Sequence, residues 1–271
     1  MFSVDVKKCI GCGQCIKDCF VKDIDLINGK ALIKNKACFK CGHCIAVCPV
    51  AAVSTDEYSM DDVVEYNKEK FFIEPNNLLN FIKFERTIRQ FNERAVENEK
   101  ILKIIEAGRF TQTASNAQNV NYIVVKDQLQ EVRKITLEVL NNLGKHILEN
   151  STNILYKRYA RMWIKMYDEF ITNPLGVDNL FFKASTLIIV TSENPLNAGL
   201  ASANMKLMVD ALGLGAVFSG FFTKACEGNS KIKDFLEIEE NQNVVTCLVI
   251  GYPNVKYLRT VPRKEANIIW K

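Results

Sequence analysis

Ten cysteines are spread through the 271-residue chain, and eight of them fall into two runs of identical spacing. The first run is Cys9, Cys12, Cys15 and Cys19; the second is Cys38, Cys41, Cys44 and Cys48, with Pro49 directly after it. Every position of the first recurs 29 residues later in the second, so the stretch is an internal duplication. Thiolates at this density are soft metal ligands, and two C-x2-C pairs alone would suit a tetrahedral zinc site. A third cysteine, and a fourth after three more residues, twice over, exceed what zinc needs. Three thiolates from one loop can surround a larger inorganic core only if the backbone coils tightly, which Gly11, Gly13 and Gly42 permit. His43 lies inside the second loop and is read as a surface residue or a neighbour of the metal, because four cysteines already suffice as ligands.

The C-x2-C-x2-C-x3-C-P run resembles that of the bacterial ferredoxins, in which the fourth cysteine of each run serves the other cluster. The resemblance implies two [4Fe-4S] clusters. Cys9, Cys12, Cys15 and Cys48 would hold one, and Cys38, Cys41, Cys44 and Cys19 the other. The first run ends in Phe20 where the family has proline, a change that touches the exit of the loop and not a ligand.

Charge and hydropathy narrow the setting. Thirty-five basic and 31 acidic residues give a net charge of +4, scattered without a basic tail or arginine-rich face, so no nucleic-acid partner is expected. With 48% apolar residues and a mean hydropathy of −0.02, no run approaches the length of a membrane span. Asp5, Lys7 and Lys8 precede Cys9 where a leader would need an apolar stretch, so the expectation is a cytoplasmic protein whose cysteines serve metal or redox chemistry. The lysines among the first fifty residues (Lys7, Lys8, Lys17, Lys22, Lys30, Lys34, Lys36 and Lys40) either offset two anionic clusters or form a docking face for an acidic partner.

The organisation follows from where the pattern changes. Residues 1–55 form a ferredoxin-like domain, 56–75 an acidic connector with a short helix at 61–68, and 76–271 a larger α+β domain. In the larger domain, apolar periodicity predicts helices at 76–85, about 93–107, 128–148, 153–170 and about 199–212, the last stopping at Gly213. Strands are predicted at 120–125, 187–191, 216–218 and 244–250, giving a mainly antiparallel sheet flanked by helices. Tyr156, Tyr159, Met162, Trp163, Met166, Tyr167 and Phe170 recur at helical spacing, as packing residues or as a substrate-stacking wall. Cys247, in an apolar strand, reads as a small buried hydrophobe, Cys226 is undecided, and His146 reads as a surface residue.

Four motifs in order make residues 76–271 resemble the nitroreductase family of FMN flavoproteins. They are Arg86-Thr87-Ile88-Arg89-Gln90-Phe91; Thr113-Ala114-Ser115-Asn116-Ala117-Gln118; Ala198-Gly199-Leu200 before a helix ending in Gly213-Leu214-Gly215; and Gly251-Tyr252-Pro253 with Arg263-Lys264 beyond. The resemblance implies an FMN whose phosphate is gripped by Arg86, Thr87 and Arg89, with Arg263 and Lys264 closing from the C-terminal segment; guanidinium groups suit phosphate oxygens. Ser115, Asn116 and Gln118 would serve the ribityl chain and ring edges, and the backbone at Ala198 and Gly199 would approach flavin N5. It further implies a homodimer with FMN at the subunit interface, so that Ser115 and Asn116 reach the flavin held by the second copy. Gln112-Thr113 and Asn119-Val120 depart from the family's proline and Pro-Trp positions, which bears on the substrate pocket more than on flavin binding.

A flavin exchanges electrons singly or in pairs, whereas clusters pass them singly. The resulting expectation is an oxidoreductase in which electrons enter through the clusters, collect on FMN and reduce a small organic acceptor such as a nitroaromatic, a quinone or an activated alkene. No catalytic side chain is identified, since the flavin would carry the transfer. Two other readings stay open: an enzyme oxidising NAD(P)H at FMN and exporting electrons through the clusters, and a redox sensor or carrier module with no substrate of its own. The donor is correspondingly a ferredoxin-type protein or NAD(P)H.

Overall fold

The duplication in sequence becomes a duplication in structure. The computed structural model describes residues 1–271 and divides into two units, Met1–Ile73 with Ala114–Ala117, and Glu74–Thr113 with Gln118–Lys271. In chain order the first unit holds β1 (Phe2–Val4), α1 (Gln14–Asp18), β2 (Ile24–Ile27), β3 (Lys30–Ile33), α2 (His43–Ala46) and β4 (Val53–Thr55). Helices α1 and α2 begin at equivalent places, each after a glycine in the left-handed region: Gly13 with φ 72° and Gly42 with φ 75°, where a side chain would be strained. Strands β2 and β3 form an antiparallel hairpin closed by Asn28-Gly29, both with positive φ, while β1 pairs antiparallel with β4. The core between them is small. Phe2, Ile24, Ala31, Ile33, Ala52 and Val53 pack with Cys9 and Cys15, so the thiols are themselves core residues.

The connector departs from the expected helix at 61–68. A single tight turn at Met60–Asp62 is followed by a separate short helix, α3 (Lys68–Phe71). Two caps explain the split: the Ser59 hydroxyl accepts from the Asp61 N–H, and the Asn67 side chain accepts from the Lys70 N–H. Val63 and Val64, both β-branched, lie between them.

The second unit contains α4 (Pro75–Phe84), α5 (Asn98–Arg109), β5 (Val120–Val125), α6 (Leu129–Asn150), α7 (Ile154–Thr172), β6 (Thr186–Ser192), α8 (Pro195–Ala211), β7 (Gly215–Phe218), α9 (Gly220–Cys226), α10 (Ser230–Phe235) and β8 (Asn243–Gly251). Its strands lie in the order β5-β6-β8-β7 and pair antiparallel throughout, so the α+β class holds. Every residue of β6 is buried, because both faces of the sheet are covered. Leu187, Ile189, Cys247 and Val249 pack with residues of α6, α7 and α9, whereas Ile188, Val190, Leu248 and Ile250 pack with α5 and α8. Trp163, Met166 and Phe170 of α7 belong to the first of these layers, as the packing reading requires, while Tyr156, Tyr159 and Met162 are exposed. Cys226 and Cys247 are both buried, and His146 is exposed.

Two helix starts differ from expectation, each for a local reason. Helix α5 begins at Asn98 rather than near residue 93, because Glu97 engages the Tyr252 hydroxyl at 2.6 Å and the Val96 N–H reaches the Ser185 hydroxyl at 3.3 Å. Helix α8 begins four residues early, at Pro195, capped by Asn194, whose side chain accepts from the Leu196 N–H at 3.0 Å. No helix is long and apolar enough to cross a membrane.

Candidate functional site

In the first unit the eight thiols sort into two cavities. Cys9, Cys12, Cys15 and Cys48 line one; Cys19, Cys38, Cys41 and Cys44 line another. All ten cysteines of the chain are free thiols. Backbone N–H groups are directed at several sulfurs: Ala52 at Cys48 Sγ (3.2 Å), Asp23 at Cys19 Sγ (3.4 Å) and Lys40 at Cys38 Sγ (3.4 Å). The Cys9 thiol is held below its ordinary range by hydrogen bonds from the Ala31 and Gly11 backbone, which outweigh its burial. Burial, reinforced by Cys38 and Cys41, pushes the Cys44 thiol up to about 11. Such a gathering of thiols is poised for a cationic core that would hold them as thiolates.

Asp23 is a structural part of this site with no spacing signal of its own. Its buried carboxylate accepts from the Lys36 and Ala37 N–H groups, fixing the approach to Cys38, while its own N–H faces Cys19. His43 is exposed beside Asp18, 3.1 Å from its carboxylate.

The second unit brings three of the four remaining motifs together. The segment after α4 runs along the sheet: the Ile88 N–H donates to Ala216 O, Asn92 N–H to Tyr252 O and Asn254 N–H to Gln90 O, at 2.8–3.0 Å. This close passage needs Gly215 and Gly251, where a Cβ would lie 2.6 Å from Ile88 and 2.8 Å from Phe91. Arg86 is held half-buried there; its Nη1 donates to Glu85 O, whereas Nε and Nη2 are buried with no partner. Thr87 and Arg89 are exposed on the same segment. Unpartnered buried guanidinium nitrogens are costly, and an anionic oxygen ligand satisfies them.

An open cavity lies against α8, lined by Ile82 and Glu85 of the α4 region, Gly199, Ser202 and Lys206 of α8, and Phe218 and Thr246 of the sheet. Ala198 and Gly199 sit inside α8, not ahead of it, and the Ala198 N–H is turned toward Asn194 O at 3.4 Å. What Gly199 offers the cavity is room, since a Cβ there would meet nothing within 4 Å. Asn197 donates to Asn119 at 2.9 Å, which ties the end of the second motif to the start of the third. Gln118 is exposed, its N–H donating to the Thr113 hydroxyl at 2.9 Å.

Ser115 and Asn116 belong to the first unit, both with positive φ, and Asn116 donates to Phe39 O (3.1 Å) and Lys40 O (3.0 Å). Arg263 and Lys264 are exposed on a C-terminal segment without regular structure. Sequence reasoning passed over Glu85, Ser202, Lys206, Asp210 and Thr246; the available signal was a serine, a lysine and an aspartate at four-residue spacing, Ser202, Lys206 and Asp210, on one side of a helix.

The second unit thus holds a sheet covered on both faces with Lys206 in a cavity at its flank, on the same chain as a unit with two four-thiol cavities. The chain belongs to the nitroreductase family, whose model matches residues 82–252, and residues 1–68 match the 4Fe-4S dicluster domain. A nitroreductase with bound FMN from Bacteroides fragilis is 20% identical, the match covering 72% of this chain and 99% of that one with a TM-score of 0.53. A BluB-like flavoprotein from Clostridium difficile is 19% identical over 71% of this chain and 98% of its own, with a TM-score of 0.54. Among curated relatives, the NADPH-flavin oxidoreductase of Vibrio harveyi is 24% identical over 200 residues, covering 72% of each chain.

Proposed function

We propose that this protein is an FMN-dependent oxidoreductase that takes electrons in through two [4Fe-4S] clusters and delivers them to a small organic acceptor, a nitroaromatic, quinone or activated alkene. The observation that carries the reading is the sorting of the thiols into two four-cysteine cavities, each completed by the last cysteine of the other run. Cys9, Cys12, Cys15 and Cys48 hold one cluster, and Cys19, Cys38, Cys41 and Cys44 the other. The N–H groups aimed at Cys48, Cys19 and Cys38 help set the potentials. Ligands in this oxidation state fit the reducing cytoplasm.

FMN, when bound, supplies the exchange between single electrons and hydride. The free nitrogens of Arg86 fit its phosphate, with Thr87 and Arg89 beside them and Arg263 and Lys264 closing from the C-terminal segment. Gly199 leaves space for the ring, and Gln118 lies on the segment tied to α8 through Asn119 and Asn197. Ser115 and Asn116 serve the flavin across a homodimer. Joining clusters and flavin in one chain replaces a diffusional encounter with an internal one.

A second reading is favoured by the name of the Vibrio harveyi relative: NADPH reduces the flavin and the clusters export the electrons. Anaerobic reduction separates the two. With a ferredoxin-type donor the cluster bands should bleach and the flavin band follow, whereas NADH and NADPH should act slowly. Flavin bleaching by a nicotinamide at turnover rate, undiminished after Cys12→Ser and Cys41→Ser, would reverse the direction proposed here.

A further inference from the structure

The wall of the α8 cavity carries an ion cluster to which the motifs assign no role. Lys206, only 8% exposed, sits two turns along α8 from Gly199, and its ammonium donates to Asp210 one turn further on. Glu85 lies at the end of α4 and lines the same cavity as Lys206; its Oε1 is buried without a partner. Arg86 follows directly, with its own two unpartnered nitrogens.

Followed along α8, the cavity changes chemistry in an ordered way. Gly199 leaves open space; next come the hydroxyls of Ser202 and Thr246, 2.6 Å apart; the end is Lys206, with Glu85 opposite. Seven residues of helix span about 10 Å. That order suits a ligand with a flat head, a polyol middle and an anionic tail. A lysine placed only to stabilise the helix would stand on its solvent face.

We propose that Lys206 is a ligand of the cofactor's phosphate, its ammonium oriented by Asp210. The inference rests on the FMN reading above and adds a cation that the arginine motif does not supply. Glu85 belongs to the same device. Burial pushes its carboxyl up and Asp210 adds to this, with Lys206 pulling the other way. The protonated form spares the phosphate end a negative charge beside Arg86, Lys206 and Asp210, so phosphate affinity falls as Glu85 ionises with rising pH.

The test titrates the full-length protein, stripped of flavin, with FMN and with riboflavin, which lacks the phosphate, reading flavin fluorescence. Lys206→Met keeps the aliphatic stem and removes the charge; it should raise the FMN Kd at least about tenfold and leave riboflavin binding unchanged. Lys206→Gln serves as the second variant, and unaltered riboflavin affinity certifies that the cavity is folded. Asp210→Asn should weaken FMN less than Lys206→Met does, and Glu85→Gln should flatten the loss of FMN affinity at high pH. Unchanged FMN affinity in both Lys206 variants, or equal weakening of FMN and riboflavin, would overturn the inference. Arg86→Ala tells the two claims apart: if it weakens FMN selectively while Lys206→Met does not, only the Lys206 role falls. If neither variant weakens FMN selectively, the phosphate reading of the site falls with it.

Discussion

The two units hold their chemistry in opposite ways. In the first, three thiols of each cavity lie within seven residues of one another, the fourth comes from the other run, and some of them also build the core, Cys9 and Cys15 packing with Phe2, Ile24 and Val53. In the second, the cavity draws Glu85 from the α4 region, Gly199 and Lys206 from α8, and Thr246 from β8, over a sheet whose core exists without them. A core that includes its own ligands makes cofactor binding and folding one event; a pocket laid over an independent core makes them separable.

The largest expected effect breaks the comparison directly. Chelating iron under anaerobic conditions should unfold residues 1–55, seen as lost amide protection, while α5–α8 keep their helical circular dichroism. A collapse of the whole helical signal would show that the units do not differ in this way. The crossed ligand sets give the next effect. Cys19→Ser and Cys44→Ser should each cut iron from about eight to about four per chain and abolish the same cluster spectrum, although the two residues sit in different runs. Distinct remaining spectra would undo the crossed assignment.

A smaller effect tests how the arginine segment is seated. Gly215→Ala places a Cβ 2.6 Å from Ile88, so the segment carrying Arg86 must shift. The expected cost is about 1–3 kcal/mol in unfolding free energy, with weaker FMN binding and unaltered iron content. The smallest effect is a pH dependence. Glu97 is held down to about 2 by the Tyr252 hydroxyl, a backbone N–H and Arg94. Because its folded value lies below the ordinary carboxylate range, the stability it adds is present above about pH 4.3 and is lost as pH falls toward 2. The Tm difference between the parent and Tyr252→Phe should therefore shrink over that interval; a constant difference would mean that the hydroxyl acts by packing alone.

What could be read from sequence divides along the same line. The spacing of the cysteine runs shows three thiols of each cavity, the exchange of the fourth follows only from the resemblance to the bacterial ferredoxins, and the four strands of the second unit follow from short apolar runs such as 187–191. The starts of α5 and α8 depart from the apolar periodicity because Glu97 and Asn194 act through partners that periodicity does not reveal. Lys206 and Glu85 are illegible as a pair, since 121 positions separate them and only the folded chain brings them to one cavity. The grouping of Ser115 and Asn116 with the cluster unit was equally hidden: it depends on hydrogen bonds to the backbone at Phe39 and Lys40, which carries no sequence signal.

The central claim is that one chain couples two clusters to one flavin, and an anaerobic reductive titration of the purified holoprotein tests it most directly. Two one-electron clusters and a two-electron flavin predict about four electron equivalents per chain, accompanied by about eight irons. An uptake of about two equivalents with zinc, or no metal, in place of iron would contradict the account.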